Sequence, residues 1–267
     1  VGDDQIDGIA ALLNAAASRD KPVLVLTNGG SFSAENTWKK YQDWQLPIQR
    51  EDVISSRDAL DFSSGKCQAK LTDVTKVGCF GRKIEVLTGD NILAYGRDDD
   101  FWQQADEFVF LGALDWQEDD QAAFESAMIT YPRRLHIANP DVAAPQANGE
   151  FSAEPGYWTA RMMQAAANQG VEVDVRWYGK PYGPAFDLGL ARMKIRLDNL
   201  SSRPLDHPFD AGRIAMVGDS LHTDILGGAA AGMTTVLITD HGLFRGEDAL
   251  PFCISCGLIP DWIVKTL

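Results

Sequence analysis

The sequence predicts an α/β protein built on a parallel sheet. Short apolar runs that stop at Thr, Asn or Gly alternate with amphipathic stretches of helical period, the pattern of repeated strand-helix-strand units. Several chemically competent residues fall just past those runs, where open α/β sheets place their ligands. A polar, weakly periodic stretch at 63–82 separates two such alternating units, so the chain also predicts an inserted second unit.

In order along the chain, Ile6, Ile9, Leu12 and Leu13 recur at helical spacing, and Val23 to Leu26 form a strand-like run after Lys21-Pro22. That run ends in Thr27-Asn28-Gly29-Gly30. Asn and Gly accept unusual backbone angles, so the Thr27 hydroxyl and nearby backbone N–H groups can converge on an anion at the start of the next helix, 33–44. A plain turn with Ser33 as helix cap explains the same residues. A strand at 52–55 and a helix start at Ser56-Arg57-Asp58 continue the alternation.

The second unit reads as strands at 83–87, 107–111 and 134–138 with an amphipathic helix at 118–131. Asp98-Asp99-Asp100 reads as a solvated turn, and Asn139-Pro140-Asp141 stops the last of those strands. A loop at 149–156, a helix at 157–168 and a strand at 171–178 follow. That strand ends in Gly179-Lys180-Pro181, which puts Lys180 on a strand-to-helix turn, although an isolated lysine is by default a surface residue. A helix at 184–197 and a polar loop at 201–211 lead to the strand 214–217, the hinge Gly218-Asp219-Ser220-Leu221-His222-Thr223-Asp224, a Gly/Ala-rich helix to 232 and a strand at 234–238. The tail holds a polar loop at 239–242 and a strand at 262–264. Asp219 and Asp224 at a strand's carboxyl end suit a magnesium ion, a hard cation that takes oxygen ligands; both also suit a helix cap.

Length and a 45% hydrophobic content allow a core plus an inserted domain. The net charge of -14 opposes attraction to nucleic acid or anionic lipid, and no apolar run approaches the roughly 18 residues of a membrane span. The expectation is a cytoplasmic protein with no nucleic-acid and no membrane partner. Cys253 and Cys256 have CxxC spacing, but Cys67 and Cys79 are too far apart to complete a zinc ribbon, and ordinary thiols are the simpler reading.

Thr27, Lys180, Asp219 and Asp224 together supply a hydroxyl, a cation and carboxylates for a metal, the parts that phosphoryl transfer needs. At this point the sequence resembles the haloacid dehalogenase (HAD) superfamily, specifically its NagD-type sugar and nucleotide phosphatases, pyridoxal phosphatase and phosphoglycolate phosphatase. The residues LTNGG (26–30), YGKP (178–181) and GDSLHTDI (218–225) are similar to the second, third and fourth motifs, and IANPD (137–141) to a cap segment. The resemblance covers essentially the whole chain. It implies a Rossmann-like core of residues 1–75 and 170–267 with an α/β cap, 76–169, inserted between the second and third motifs. It implies further that Thr27, Asn28, Gly29 and Lys180 hold the phosphoryl group, that Asp219 binds Mg2+, and that Asp224 supports the metal and Lys180.

The family's first motif, DxDG, supplies the aspartate nucleophile and has no match here. Gln5-Ile6-Asp7-Gly8 imitates it with Gln in the nucleophile's place, but no apolar strand precedes it and it lies too close to Thr27. Asp7-Gly8 instead fits the start of the first helix, so the motif and its central strand are expected just upstream of Val1. The expected function is a Mg2+-dependent phosphatase that hydrolyses a small phosphorylated metabolite through an aspartyl-phosphate. The alternative is a HAD-like phosphate- or metal-binding protein without the nucleophile. A homodimer is left open.

Overall fold

The structure is a computed structural model that describes residues 5–60, 76–81, 87, 90–96, 100–145, 150–200 and 208–266. The expected strand 83–87 falls largely outside these residues, as do Asp98, Asp99, Cys67 and most of the polar stretches at 63–82 and 201–211.

Helix α1 (Ile9–Ala17) follows Gly8, whose left-handed φ of 86° only glycine adopts without strain. Strand β1 (Val25–Thr27) leads into α2 (Ala34–Asp43), which Ser33 caps by accepting the Asn36 N–H. Strand β2 (Val53–Ser55) then pairs with β1 in parallel, Val25 opposite Val53 and Thr27 opposite Ser55. Leu13, Leu46, Ile48 and Val53 bury a small core under α1 and α2. At the helix start expected at Ser56-Arg57-Asp58 the described residues form a 3-10 turn, Asp58–Leu60. The Asp58 carboxylate accepts the Ser55 N–H at 2.7 Å, a bond of the kind that caps the start of a helical turn.

The second unit runs through β3 (Val77–Phe80), β4 (Ile92–Ala94), α3 (Phe101–Gln104), β5 (Glu107–Phe110), α4 (Glu118–Thr130), β6 (Arg134–Ile137), the hairpin β7 (Ala143–Pro145) and β8 (Phe151–Ala153), and α5 (Pro155–Asn168) to β9 (Val175–Trp177). Its five-stranded parallel sheet has the order β4-β3-β5-β6-β9. Residues two apart share a face, so Phe80, Phe108, Phe110, Leu135 and Ile137 pack with Phe124 and Met128 of α4 and with Trp158 and Met162 of α5. Each such aromatic contributes roughly 1.5–3 kcal/mol by leaving water. Val77, Cys79, Val109, Leu111, Ala138 and Tyr178 lie in a second cluster with Ala59 and Leu60. Beside them His136 is fixed between Glu107, 2.9 Å from Nε2, and the Tyr178 hydroxyl, 2.7 Å from Nδ1.

The strand before Lys180 is short and pairs with β6, so the five-stranded sheet extends past residue 169, and Lys180 leaves from it rather than from the sheets that carry Thr27 and Gly218. Val171 and Val173, read as strand, pack instead against the aromatic core.

The chain continues through α6 (Gly183–Leu200), β10 (Ala215–Gly218), α7 (Leu226–Ala230), β11 (Thr234–Ile238), α8 (Ala249–Cys256) and β12 (Trp262–Val264), and the three strands form a parallel sheet in the order β10-β11-β12. Cys253 and Cys256 are free thiols on α8, one buried and one exposed, in a helix that buries Ala249 and Cys253 at i, i+4. β1 pairs only with β2 and β10 only with β11, so among the described residues each keeps one unpaired edge. Ala215 and Val217 of β10 are exposed despite being apolar strand residues. No helix among the described residues is long and apolar enough to cross a membrane.

Candidate active site

The turn after β1 forms the first wall of the site. Thr27 Oγ1 accepts the Gly29 N–H at 3.1 Å, which leaves the hydroxyl proton free to point elsewhere. Asn28 is buried, and its carbonyl oxygen accepts the Ser56 hydroxyl at 3.1 Å. The Asn28 carboxamide reaches across to the segment after β9: its Oδ1 accepts the Lys180 N–H at 2.6 Å, and its Nδ2 donates to the Lys180 carbonyl at 3.0 Å. Gly30 and Gly179 allow this approach. A Cβ on Gly30 would lie 2.4 Å from the Leu111 carbonyl oxygen, and one on Gly179 would lie 2.4 Å from Pro140 Cδ. The ends of β5 and β6 therefore seat directly on the turns that carry Asn28 and Lys180.

The second wall follows β10. A single π turn, Leu221–Ile225, swings Asp224 back toward the strand end, with the Ser220 carbonyl accepting from both the Asp224 and Ile225 N–H groups. Asp224 Oδ2 accepts the N–H groups of Asp219 at 3.1 Å and Ser220 at 3.2 Å, and Oδ1 accepts from Lys180 Nζ at 2.5 Å. This ion pair is largely dry, the side chains of Lys180 and Asp224 being 13% and 5% exposed. Gly218 is required beneath it, because a Cβ there would sit 2.1 Å from Asp224 Oδ2.

Asp219 is half-buried, and its carboxylate meets no hydrogen-bond donor on another described residue. Burial pushes its pKa up, the nearby Asp224 charge pushes the same way, and Lys180 opposes both. Gly242, at φ 68°, closes over this carboxylate; a Cβ there would fall 1.6 Å from Asp219 Oδ2. Among the described residues no group of three or more His, Cys, Asp and Glu could hold a metal ion. A magnesium ion needs only one or two carboxylates from the protein, with water and substrate completing its shell, so Asp219 backed by Asp224 fits such an ion. A cation would give the Asp219 carboxylate the direct partner that it lacks among the described residues.

The structure thus brings these residues to one place: Asn28, Lys180, Asp224 and Asp219 are linked by hydrogen bonds, and Thr27 and Gly29, bonded to each other, flank Asn28 in the chain. It adds Asp141, whose Oδ1 accepts from Asn28 Nδ2 at 2.8 Å. Burial raises the Asp141 pKa, while the Asn28 hydrogen bond and Lys180 pull it back. In the sequence the residue stood out as part of the stop after a strand and of the IANPD segment similar to the family's cap, with no role assigned to its side chain.

Two family models match the chain. One, described as haloacid dehalogenase-like hydrolase, covers residues 1–94, and the other, described as HAD-hydrolase-like, covers residues 177–266. The chain belongs to the haloacid dehalogenase superfamily. Of the five-stranded sheet, β5 and β6 lie between the two matched segments, β3 and β4 lie within the first, and β9 ends where the second begins. An acid sugar phosphatase from Staphylococcus haemolyticus is 22% identical over 88% of this chain and 79% of its own length. Among solved HAD-like structures, a possible sugar phosphatase from Cytophaga hutchinsonii superposes with a TM-score of 0.73 at 22% identity, covering 98% of this chain and 87% of that one. NagD from Escherichia coli K-12 gives 0.67 at 18% identity, covering 99% and 90%. A p-nitrophenyl phosphatase from Archaeoglobus fulgidus gives 0.69 at 18% identity, covering 100% and 92%.

Proposed function

We propose that this HAD protein is a Mg2+-dependent phosphatase of a small phosphorylated metabolite such as a sugar phosphate. The observation that carries the reading is the Lys180–Asp224 pair at 2.5 Å, set between the Thr27 turn and the Asp219 carboxylate. The names of the similar proteins, acid sugar phosphatase and p-nitrophenyl phosphatase, support the same class.

In this reading the Thr27 hydroxyl and the backbone N–H of Asn28 grip phosphoryl oxygens, while Gly29 orients the Thr27 hydroxyl through its own N–H. Lys180 offsets charge on the phosphoryl oxygens as the bond to the leaving group breaks. Asp224 keeps the ammonium aimed inward and keeps Asp219 in place through the Asp219 N–H. Asp219 holds the magnesium, which supplies Lewis-acid charge neutralisation when bound. In this reading the nucleophile is an aspartate on a strand beside β1 and β10, each of which has one edge without a partner among the described residues. Attack on phosphorus forms an aspartyl-phosphate, which water hydrolyses. The unit from β3 to β9 acts as the cap that excludes bulk water and selects the leaving group.

The test is phosphate release by the full-length protein from sugar phosphates, nucleotides and p-nitrophenyl phosphate. Turnover that EDTA abolishes and magnesium restores is expected. Absence of release from every ester, or turnover indifferent to EDTA, overturns the proposal.

A further inference from the structure

The Asn28 carboxamide satisfies both backbone polar groups of Lys180, the N–H at 2.6 Å and the carbonyl at 3.0 Å. Its third bond, from Nδ2 to Asp141 Oδ1 at 2.8 Å, comes from the segment between β6 and β7. A carboxylate only accepts, so Asp141 reinforces the amide orientation that the Lys180 N–H and carbonyl also require. Turned over, the amide would set its oxygen against the Asp141 carboxylate and the Lys180 carbonyl, and its NH2 against the Lys180 N–H. All three bonds would be lost.

Asp141 is itself held firmly. Its N–H donates to Asn139 Oδ1 at 3.0 Å, and Asn139 Nδ2 donates to Glu154 Oε2 at 3.0 Å. The Ser152 hydroxyl donates to the other Glu154 oxygen at 2.8 Å, and the Gly156 N–H donates to the Asp141 carbonyl at 3.0 Å. Gly156 permits this closeness, since a Cβ there would lie 2.0 Å from the Pro140 carbonyl oxygen. Support therefore runs unbroken from the start of α5 through Asp141 and Asn28 to Lys180, and from Lys180 Nζ to Asp224.

We propose that Asp141 is a positioning residue for Lys180: it locks the Asn28 carboxamide and so couples the seating of the β6–β7 segment on the Thr27 turn to the placement of the lysine. The inference takes the reaction from the phosphatase reading above, but the coupling itself is a property of the fold and can be measured without turnover.

Two readouts test it in the full-length protein. In amide hydrogen exchange, Asp141→Ala speeds exchange of the Lys180 N–H by about tenfold or more, while Val236 in the distant strand β11 keeps its wild-type rate. In kinetics, Asp141→Ala lowers kcat by about 10- to 100-fold, the range that small misplacement of a reacting group costs, with KM changed less than about 3-fold. In a Lys180→Ala background the same substitution changes kcat by less than about 2-fold, because the residue acts through the lysine. Asp141→Asn, which keeps the volume and an acceptor oxygen, gives smaller shifts in the same directions and serves if the Ala variant does not fold. Unchanged Lys180 exchange, an equal loss of kcat in both backgrounds, or a loss confined to KM overturns the inference. A wild type without turnover sinks the phosphatase reading, and the exchange measurement then decides the coupling on its own.

Discussion

Asp224→Ala is the perturbation whose cost the structure defines best. Asp224 is 4% exposed and accepts three hydrogen bonds, from Lys180 Nζ at 2.5 Å and from the Asp219 and Ser220 N–H groups at 3.1 and 3.2 Å. Removing it strands the Lys180 ammonium, whose side chain is only 13% exposed, without its counter-ion. Breaking one side of a buried pair costs about 3–5 kcal/mol. The two backbone donors add to this unless water enters the vacated space, about 1–3 kcal/mol for each that stays unpaired. Asp224→Asn, which keeps the shape and an acceptor, loses less. The double variant Lys180→Met, Asp224→Leu recovers part of the loss, because neither charge is then buried alone. The assay is urea unfolding followed by tryptophan fluorescence, with the midpoint shift read at constant slope. An Asp224→Ala protein within about 1 kcal/mol of wild type would refute the buried-pair account, since surface pairs are worth that little.

Two further outcomes follow from the geometry. Gly242→Ala, with its φ of 68° and a Cβ falling 1.6 Å from Asp219 Oδ2, displaces the Asp219 carboxylate; magnesium titration of activity should shift to at least about tenfold higher concentration, and an unchanged titration would count against Asp219 as the ligand. His136 is 1% exposed, and burial holds its pKa below the usual histidine value. Its neutral ring donates from Nε2 to Glu107 and accepts the Tyr178 hydroxyl at Nδ1, because a carboxylate can only accept. The unfolded chain then binds the extra proton first, so this group's contribution to stability is present above about pH 6.5 and is lost as pH falls below it, by up to about 1.4 kcal/mol per pH unit. His136→Gln should flatten that slope between pH 6.5 and 5, and parallel slopes for the two proteins would refute the assignment.

The alternation of apolar runs and helices was legible because parallel strands buried on both faces read as short continuous hydrophobic runs. Thr27, Lys180, Asp219 and Asp224 were legible for a related reason: each lies just past such a run, and the structure joins them through Asn28 and the Lys180–Asp224 pair. What stayed hidden depends on packing between distant segments. Asp141 meets Asn28 across 113 positions, and no local pattern announces that contact. The pairing of β9 with β6 was equally invisible, because periodicity identifies a strand but not its neighbour. The reach of the Asn28 carboxamide to the Lys180 backbone rests on Gly30 and Gly179, whose role as points of close approach appears only once Leu111 and Pro140 are seen against them. Helix α8 went unread because its exposed face carries Leu250, Phe252 and Ile254, which blurs the polar-apolar contrast a surface helix usually shows.

The most direct test of the account is phosphate release by wild type and Asp219→Asn across a magnesium titration, with each protein's unfolding curve measured alongside. The Asp219 carboxylate meets no donor on another described residue and is destabilised by burial and by Asp224, so its neutralisation should leave the fold as stable as wild type or more so. The account predicts a stable variant with kcat reduced about 100-fold or more at wild-type magnesium levels. Equal turnover by the two proteins at every magnesium concentration would contradict it.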